Sequence, residues 1–411
     1  MRIAVFDHQL NFGGGLRFIT NLLIAIRKQH PEIQITFFCN QNKIIETDLN
    51  QVLIINKIAI GHLSVFDINK PNSSLFSRLV RYLKRNIFKI NGVAFDFENA
   101  LSLEISECSE NFDLAYFPWP FFLKCPKTKC PKVATFHDFN FKYFFGVQIF
   151  GNEQTQFLNE SINEWMKDTL PVVSTHFMER ELLSFYPNVK RVNVVHLGSL
   201  NMYHDKEVNK EDHFPFKFLL DKPYFLCPVH LTVHKNIGNI IAAASLVNSN
   251  EIKFRLVFTG KFSEVISGKS SYFGLNTDEK RDKDVYGLGY VTDAEMNELL
   301  RNSFAVLNAS LYEAGNGVGL DAWPLGIPVI QSNIPAFEEH INLQKFKAFS
   351  FDPRNVQSLS KAIEECLSNK IQRETNISES LAASRQLDWN IVANKYVKIF
   401  DEAIKHKNYA N

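Results

Sequence analysis

Residues 310–330 read SLYEAGNGVGLDAWPLGIPVI, and the fold of the chain is most legible from this stretch. Glu313 and Asp321 bracket a loop that contains Gly315, Gly317 and Gly319, and the stretch closes on an apolar strand signal at Ile327–Ile330. Glycines let the backbone come close to a ligand. Successive N–H groups leading into a helix, here those of Asn316, Gly317, Val318 and Gly319, form a cradle for phosphate or sugar oxygens, and the flanking carboxylates accept hydrogen bonds from hydroxyls. That mixture suits a polyhydroxylated, phosphorylated ligand. Spacing alone equally admits a glycine-rich turn with a capping acid.

Working outward, strand and helix signals alternate on both sides. Tyr224–Cys227, Phe254–Thr259, Val285–Tyr290 and Phe304–Leu307 read as strands, with a helical stretch over Asn236–Val247. Thr292 and Glu295 form a capping box ahead of Met296, Leu299 and Leu300. In the first half, Arg2–Phe6 runs into Gly13, Gly14 and Gly15, after which Ile19, Leu22, Leu23 and Ile26 recur at helical spacing. Ile33–Cys39, Val52–Ile60 and Lys132–Phe136 read as buried strands, because parallel sheets covered on both faces lose polar alternation. The polar run near 198–222 separates the halves. The expected architecture is α/β: two Rossmann-like, doubly wound parallel-sheet domains facing across a cleft, with ligands beyond the carboxyl ends of the strands. The expected boundaries are 1–205, 206–385 and a final helical segment 386–411.

Bulk properties narrow the function. In 411 residues, 45 Lys and Arg face 44 Asp and Glu, so no global field attracts nucleic acid or another polyanion. The six cysteines (39, 108, 125, 130, 227, 366) form no C-x-x-C pair, which argues against a disulfide framework or zinc site and fits a reducing cytoplasm. The opening MRIAVFDHQL meets charge too early for a signal peptide, and no apolar run is long enough to span a bilayer. Phenylalanine is abundant, at 37 residues; the clusters at 116–122 and 136–145 read as core, with an apolar acceptor surface as the other reading.

Residues 310–330 closely resemble the E-x7-E region of glycosyltransferase family 4, usually S-L-Y-E-G-F-G-L-P-x-L-E-A followed by G-x-P-V-I. The resemblance implies that Glu313 contacts donor-sugar hydroxyls and that Asp321, one methylene shorter than the usual glutamate, holds the ribose. LGYVTDAEMNELL from Leu288 is similar to the family segment whose leading turn, here with Leu288, lies against the nucleobase. HKNIGNIIAA (234–243) resembles the segment that carries the diphosphate lysine, here Lys235, and His230 stands where the family commonly has arginine. KVATFHDF (132–139) resembles V-x-T-x-H-D, which implies that His137 faces the donor sugar. NFGGGLRFITNLL (11–23) resembles the first glycine loop, which places Gly14 and Gly15 near the donor phosphates. DWNIVANKYVKIFDEAI (388–404) resembles a closing helix that crosses back to the first domain.

The family is of GT-B fold, so the resemblance implies a retaining, metal-independent transferase that moves a hexose from a nucleoside diphosphate sugar to a glycan or lipid-linked glycan. It requires no cofactor. Lys235 and the amides of residues 316–319 would hold the diphosphate, and a fixed cation there offsets charge on the departing nucleotide. Catalytic roles would fall to Glu313, His137 and Lys235. Cell-surface polysaccharide or lipid-linked glycan assembly is the expected setting, at the cytoplasmic face.

Two other signals are weighed. Asp282-Lys283-Asp284 has the D-x-D form of metal-dependent transferases but lies in a charged run and reads as a solvated loop. Leu75–Ile90 carries five basic residues and no acid among apolar ones; it reads as a half-buried helix or as a peripheral membrane contact. Two rival functions differ in class. One is an inactive donor-binding or scaffold subunit, suggested by His230 and Asp321. The other is a nicotinamide-dependent oxidoreductase, disfavoured because Phe37, Phe38 and Cys39 occupy the strand end where an acid would hold ribose.

Overall fold

The computed structural model describes residues 1–8, 14–40, 49–64, 97–144, 152–199, 215–249, 253–260, 263–267 and 284–410. Two parallel sheets organise them. The first contains β1 (Arg2–Asp7), β2 (Gln34–Cys39), β3 (Ala59–His62), β4 (Leu114–Phe117), β5 (Lys132–Thr135), β6 (Leu170–Val173) and β7 (Asn193–Val194), in the order β3-β2-β1-β4-β5-β6-β7. Around it lie α1 (Gly14–Gln29), α2 (Leu49–Ile55), α3 (Phe97–Cys108), α4 (Asn152–Trp165) and α5 (His176–Phe185).

The second sheet contains β8 (Tyr224–Pro228), β9 (Arg255–Thr259), β10 (Val285–Gly287), β11 (Ala305–Asn308), β12 (Val329–Ser332) and β13 (Phe349–Phe351), ordered β10-β9-β8-β11-β12-β13. Its helices are α6 (Ile237–Val247), α7 (Asp293–Asn302), α8 (Gly317–Ala322), α9 (Pro335–Asn342), α10 (Val356–Ser368) and α11 (Lys370–Ser384). In each sheet the order turns back beside the first strand. Those switch points, β1/β4 and β8/β11, open a crevice at the strands' carboxyl ends.

The unbroken apolar strands follow from burial on both faces. Ile3 and Val5 of β1 pack with α1 in one core, while Ala4 and Phe6 pack with Phe117 and Phe136 in the other. β8 divides in the same way, with Phe225 and Cys227 on one side and Tyr224 and Leu226 on the other. The phenylalanine clusters are mostly core: Phe117, Phe121, Phe136, Phe139 and Phe141 are all buried.

The last helix, α12 (Trp389–Ala410), covers the first sheet rather than the second. Its Val392, Val397 and Phe400 join the core of Ile3 and Phe18, and the Tyr396 hydroxyl lies 3.0 Å from Thr135 Oγ1. Trp389 Nε1 donates to the Ser199 carbonyl at 2.6 Å, which fixes the start of the helix.

Two expectations are corrected. Val52–Ile60 is not a buried strand: Ile54 and Ile55 are 62% and 71% exposed on α2, and the chain then reverses through Lys57 at φ 55° into the edge strand β3. A short apolar run does not distinguish a helix from a strand. Asp284 is not solvated but buried, 3.4 Å from Arg255 Nε; Asp282 and Lys283 lie outside the described residues, as does Leu75–Ile90. Among the described residues, no helix is long and apolar enough to cross a membrane.

Candidate functional site

A cavity of about 260 Å³ opens at the carboxyl ends of β8, β9 and β11, with the start of α1 opposite. Its wall includes Gly14 and Arg17 from the first half, and His230, Lys235, Gly260, Tyr290, Asp293, Glu313, Gly317, Val318 and Asp321 from the second. The backbone at Gly260 has φ +110°, and a Cβ there would stand 2.3 Å from the Val229 carbonyl oxygen, so the wall requires glycine at this point.

Lys235 and Glu313 meet in an ion pair inside this cavity. Two loops are tied together to bring them there. Leu311 N donates to the His234 carbonyl at 2.7 Å, and Asn236, in the left-handed region at φ 58°, donates through its side chain to the Ala309 and Pro353 carbonyls at 3.2 and 2.7 Å. Asparagine tolerates that backbone conformation, which turns Lys235 off the start of α6 toward Glu313. Burial pushes the Glu313 carboxyl up, but the Lys235 ammonium and the Ser310 hydroxyl, donating at 2.6 Å, outweigh it and leave the group below the usual carboxylate range.

The glycine loop forms a cradle in part. Asn316 caps α8 by accepting from Gly319 N at 2.9 Å, its own N–H donates to His340 Nε2 at 3.1 Å, and its side-chain amide donates to Gln331 at 2.6 Å. The amides of Asn316 and Gly319 are thus spent inside the protein, and both residues are buried. This corrects the expected run of ligand-facing amides. Gly317 and Val318 occupy the first two helical positions, whose N–H groups find no acceptor within a helix, and both line the cavity. Burial lowers His340 to about 4, so its ring is neutral and Nε2 accepts.

Other expected site residues divide. Gly14, His230, Lys235, Glu313 and Asp321 reach the wall; Gly15 and Leu288 do not. Leu288 is half-buried against the second core, and its turn instead presents Tyr290 and Val291. His137 is also absent from the wall. Its ring stacks on Trp119 with centroids 5.1 Å apart, abuts Phe18 at 4.8 Å, and donates through Nε2 to the Pro118 carbonyl at 2.8 Å. Burial lowers it to about 4. Its neighbour Asp138 is raised to about 6 by burial, and it feels the charges of Glu313 and Lys235.

The sequence reading missed Arg17. Its Nη1 lies 3.3 Å from Asp321 Oδ2 and its Nε 3.9 Å from Asp293 Oδ1, so Asp321 is engaged by a cation from the first half. It also missed how the acid's own loop is held. The Tyr312 hydroxyl donates to Glu181 at 2.7 Å and accepts from Phe139 N at 3.1 Å, while the Ala314 carbonyl accepts from Thr175 Oγ1 at 2.8 Å. Glu313 is therefore flanked on both sides by residues stapled to the first half. Nearby, Glu339 accepts from the N–H groups of His176 and Phe177 and lies 2.8 Å from His196 Nε2. Among the described residues, no group of three or more His, Cys, Asp or Glu is arranged to hold a metal ion.

Residues 208–381, which carry most of this wall, match the family described as glycosyl transferases group 1. They form a group 1 glycosyl transferase domain. A stretch of 102 residues is 29% identical to the O-antigen chain mannosyltransferase B of Escherichia coli, covering 25% of this chain and 26% of that relative. Two solved structures are similar throughout. The glycosyltransferase of Rickettsia africae covers 98% of both chains at 17% identity with a TM-score of 0.61. The Anabaena protein HepE, solved in complex with UDP-glucose, covers 98% of this chain and 100% of its own at 15% identity, with a TM-score of 0.65. The fold is GT-B: two doubly wound parallel-sheet domains, the second of them the group 1 domain.

Proposed function

We propose that this protein is a retaining glycosyltransferase that moves a hexose from a nucleoside diphosphate sugar to a glycan acceptor. The observation that carries the reading is the Lys235–Glu313 pair inside a cavity at the β8/β11 switch point of the group 1 domain. Lys235 and the N–H groups of Gly317 and Val318 would face the diphosphate, where a fixed cation and oriented dipoles offset the charge that grows on the leaving nucleotide. Glu313 would accept hydrogen bonds from the sugar hydroxyls and hold the anomeric carbon toward the incoming hydroxyl. Asp321, beside Arg17, would face the ribose.

The likeness to the O-antigen chain mannosyltransferase B of Escherichia coli supports a role in polysaccharide assembly. The complex of the Anabaena protein with UDP-glucose supports a nucleotide-sugar donor. Transfer and donor hydrolysis are the activities to assay. Glu313→Ala and Lys235→Ala should each lower kcat/KM by at least 100-fold; near-native turnover by both variants would overturn the site.

A further inference from the structure

Arg17 is placed against the preference of its own helix. It lies in the first turn of α1, the positive end of the helix dipole, and that turn carries no acid to compensate. Asp321 is likewise misplaced, near the carboxyl end of α8. Each is matched across the cleft by the other, at 3.3 Å, with side chains only 18% and 8% exposed. The pair therefore spans the two domains in a partly dry site, where opposite charges interact more strongly than in water.

The cavity wall adds a charge argument. Among the described residues of the wall, three carboxylates, those of Asp293, Glu313 and Asp321, face two permanent cations, Arg17 and Lys235. A diphosphate entering such a wall is drawn toward both cations. Guanidinium has five N–H donors in a planar fork, so one edge can keep a carboxylate while another takes a phosphate oxygen. Gly14, the first residue of α1, lines the same cavity, so the helix start that presents Arg17 is already at the wall.

We propose that Arg17 is a donor-phosphate ligand supplied by the N-terminal domain, held ready by Asp321 and Asp293 and shared with the diphosphate when the donor enters. This rests on the nucleotide-sugar reading above and extends it. One side chain then contacts the donor and the acids of the opposite domain together, so donor binding and cleft closure reinforce each other.

The test is calorimetric titration of the wild type, Arg17→Gln and Arg17→Lys with UDP, GDP and ADP, each beside its nucleoside. For the diphosphate that the wild type binds, Arg17→Gln should raise Kd tenfold or more and leave the nucleoside's Kd unchanged. Arg17→Lys, which keeps the charge but loses the fork, should fall between and supplies the test if Arg17→Gln does not fold. Wild-type affinity for the diphosphate in both variants would overturn the proposal alone. An equal loss for nucleoside and diphosphate would do so too, because Arg17 would then only brace Asp321. Failure of the wild type to bind any of the three diphosphates would remove the functional reading itself, and this proposal with it.

Discussion

The Lys235 ammonium and the Glu313 carboxylate are partners of one another, so the cation expected at the diphosphate and the acid expected at the sugar form one unit. Their side chains are 17% and 18% exposed, and each is the other's compensation for lost hydration. A double-mutant cycle should reveal this. Removing either partner leaves a partly buried charge, a cost of about 3 kcal/mol in stability. Lys235→Met with Glu313→Gln should lose less than the sum of the two single changes, with a coupling of about 1–3 kcal/mol. Urea unfolding of the four proteins measures it, and strict additivity would contradict the pairing.

Tyr312 offers a second test, because it connects the Glu313 loop to the other domain. Tyr312→Phe keeps the ring packing against Tyr143 and Phe177 but removes the hydroxyl that donates to Glu181 and accepts from Phe139 N. A hydrogen bond to a charged group contributes about 1.5–3 kcal/mol, so the melting temperature should fall by several degrees. If the staple also sets where Glu313 sits, kcat should fall several-fold while the donor KM changes little. Native kcat in the Phe variant would show that the loop is held without it.

The pH dependence of stability has a definite sign. Burial lowers His137, His234 and His340 from 6.5 to about 4. A group with a depressed folded pKa contributes stability that is present above its unfolded value and lost as pH falls, here from about 6.5 to about 4. Asp138, raised from 3.8 to about 6, acts oppositely: its contribution is present below 3.8 and lost as pH rises through 6. Three groups outweigh one, so unfolding free energy should drop between pH 7 and pH 5 by about 1–3 kcal/mol. His340→Gln should flatten that slope. A profile level across this range in both proteins would contradict the buried neutral rings.

What the sequence revealed follows a physical division. The places of Lys235, Glu313 and Gly317 on the cavity wall and the Thr292–Glu295 capping box are legible because they depend on neighbours a few residues away: a helix start, a glycine turn, a reciprocal cap. Arg17 is not legible as a site residue, because its partner Asp321 lies 304 positions along the chain and only the folded cleft brings them together. The same holds for the staple of Tyr312 to Glu181. Asn316 misled for another reason. A residue that caps a helix and a residue whose amide faces a ligand share one local signal, and the cap is distinguished only by His340 and Gln331 arriving from elsewhere. His137 failed similarly, since the aromatic cage of Trp119 and Phe18 that claims its ring is tertiary. The run Val52–Ile60 shows the limit of periodicity, where one apolar stretch divides between a helix and an edge strand at Lys57.

If the cavity between Lys235, Glu313 and the start of α8 is the donor site, a crystal structure with a nucleoside diphosphate sugar at saturating concentration will show the donor there. Pyrophosphate density should lie within hydrogen-bond reach of Lys235 Nζ and the Gly317 and Val318 amides, with the sugar against Glu313. A donor seated elsewhere, or a cavity empty at saturation, would contradict it.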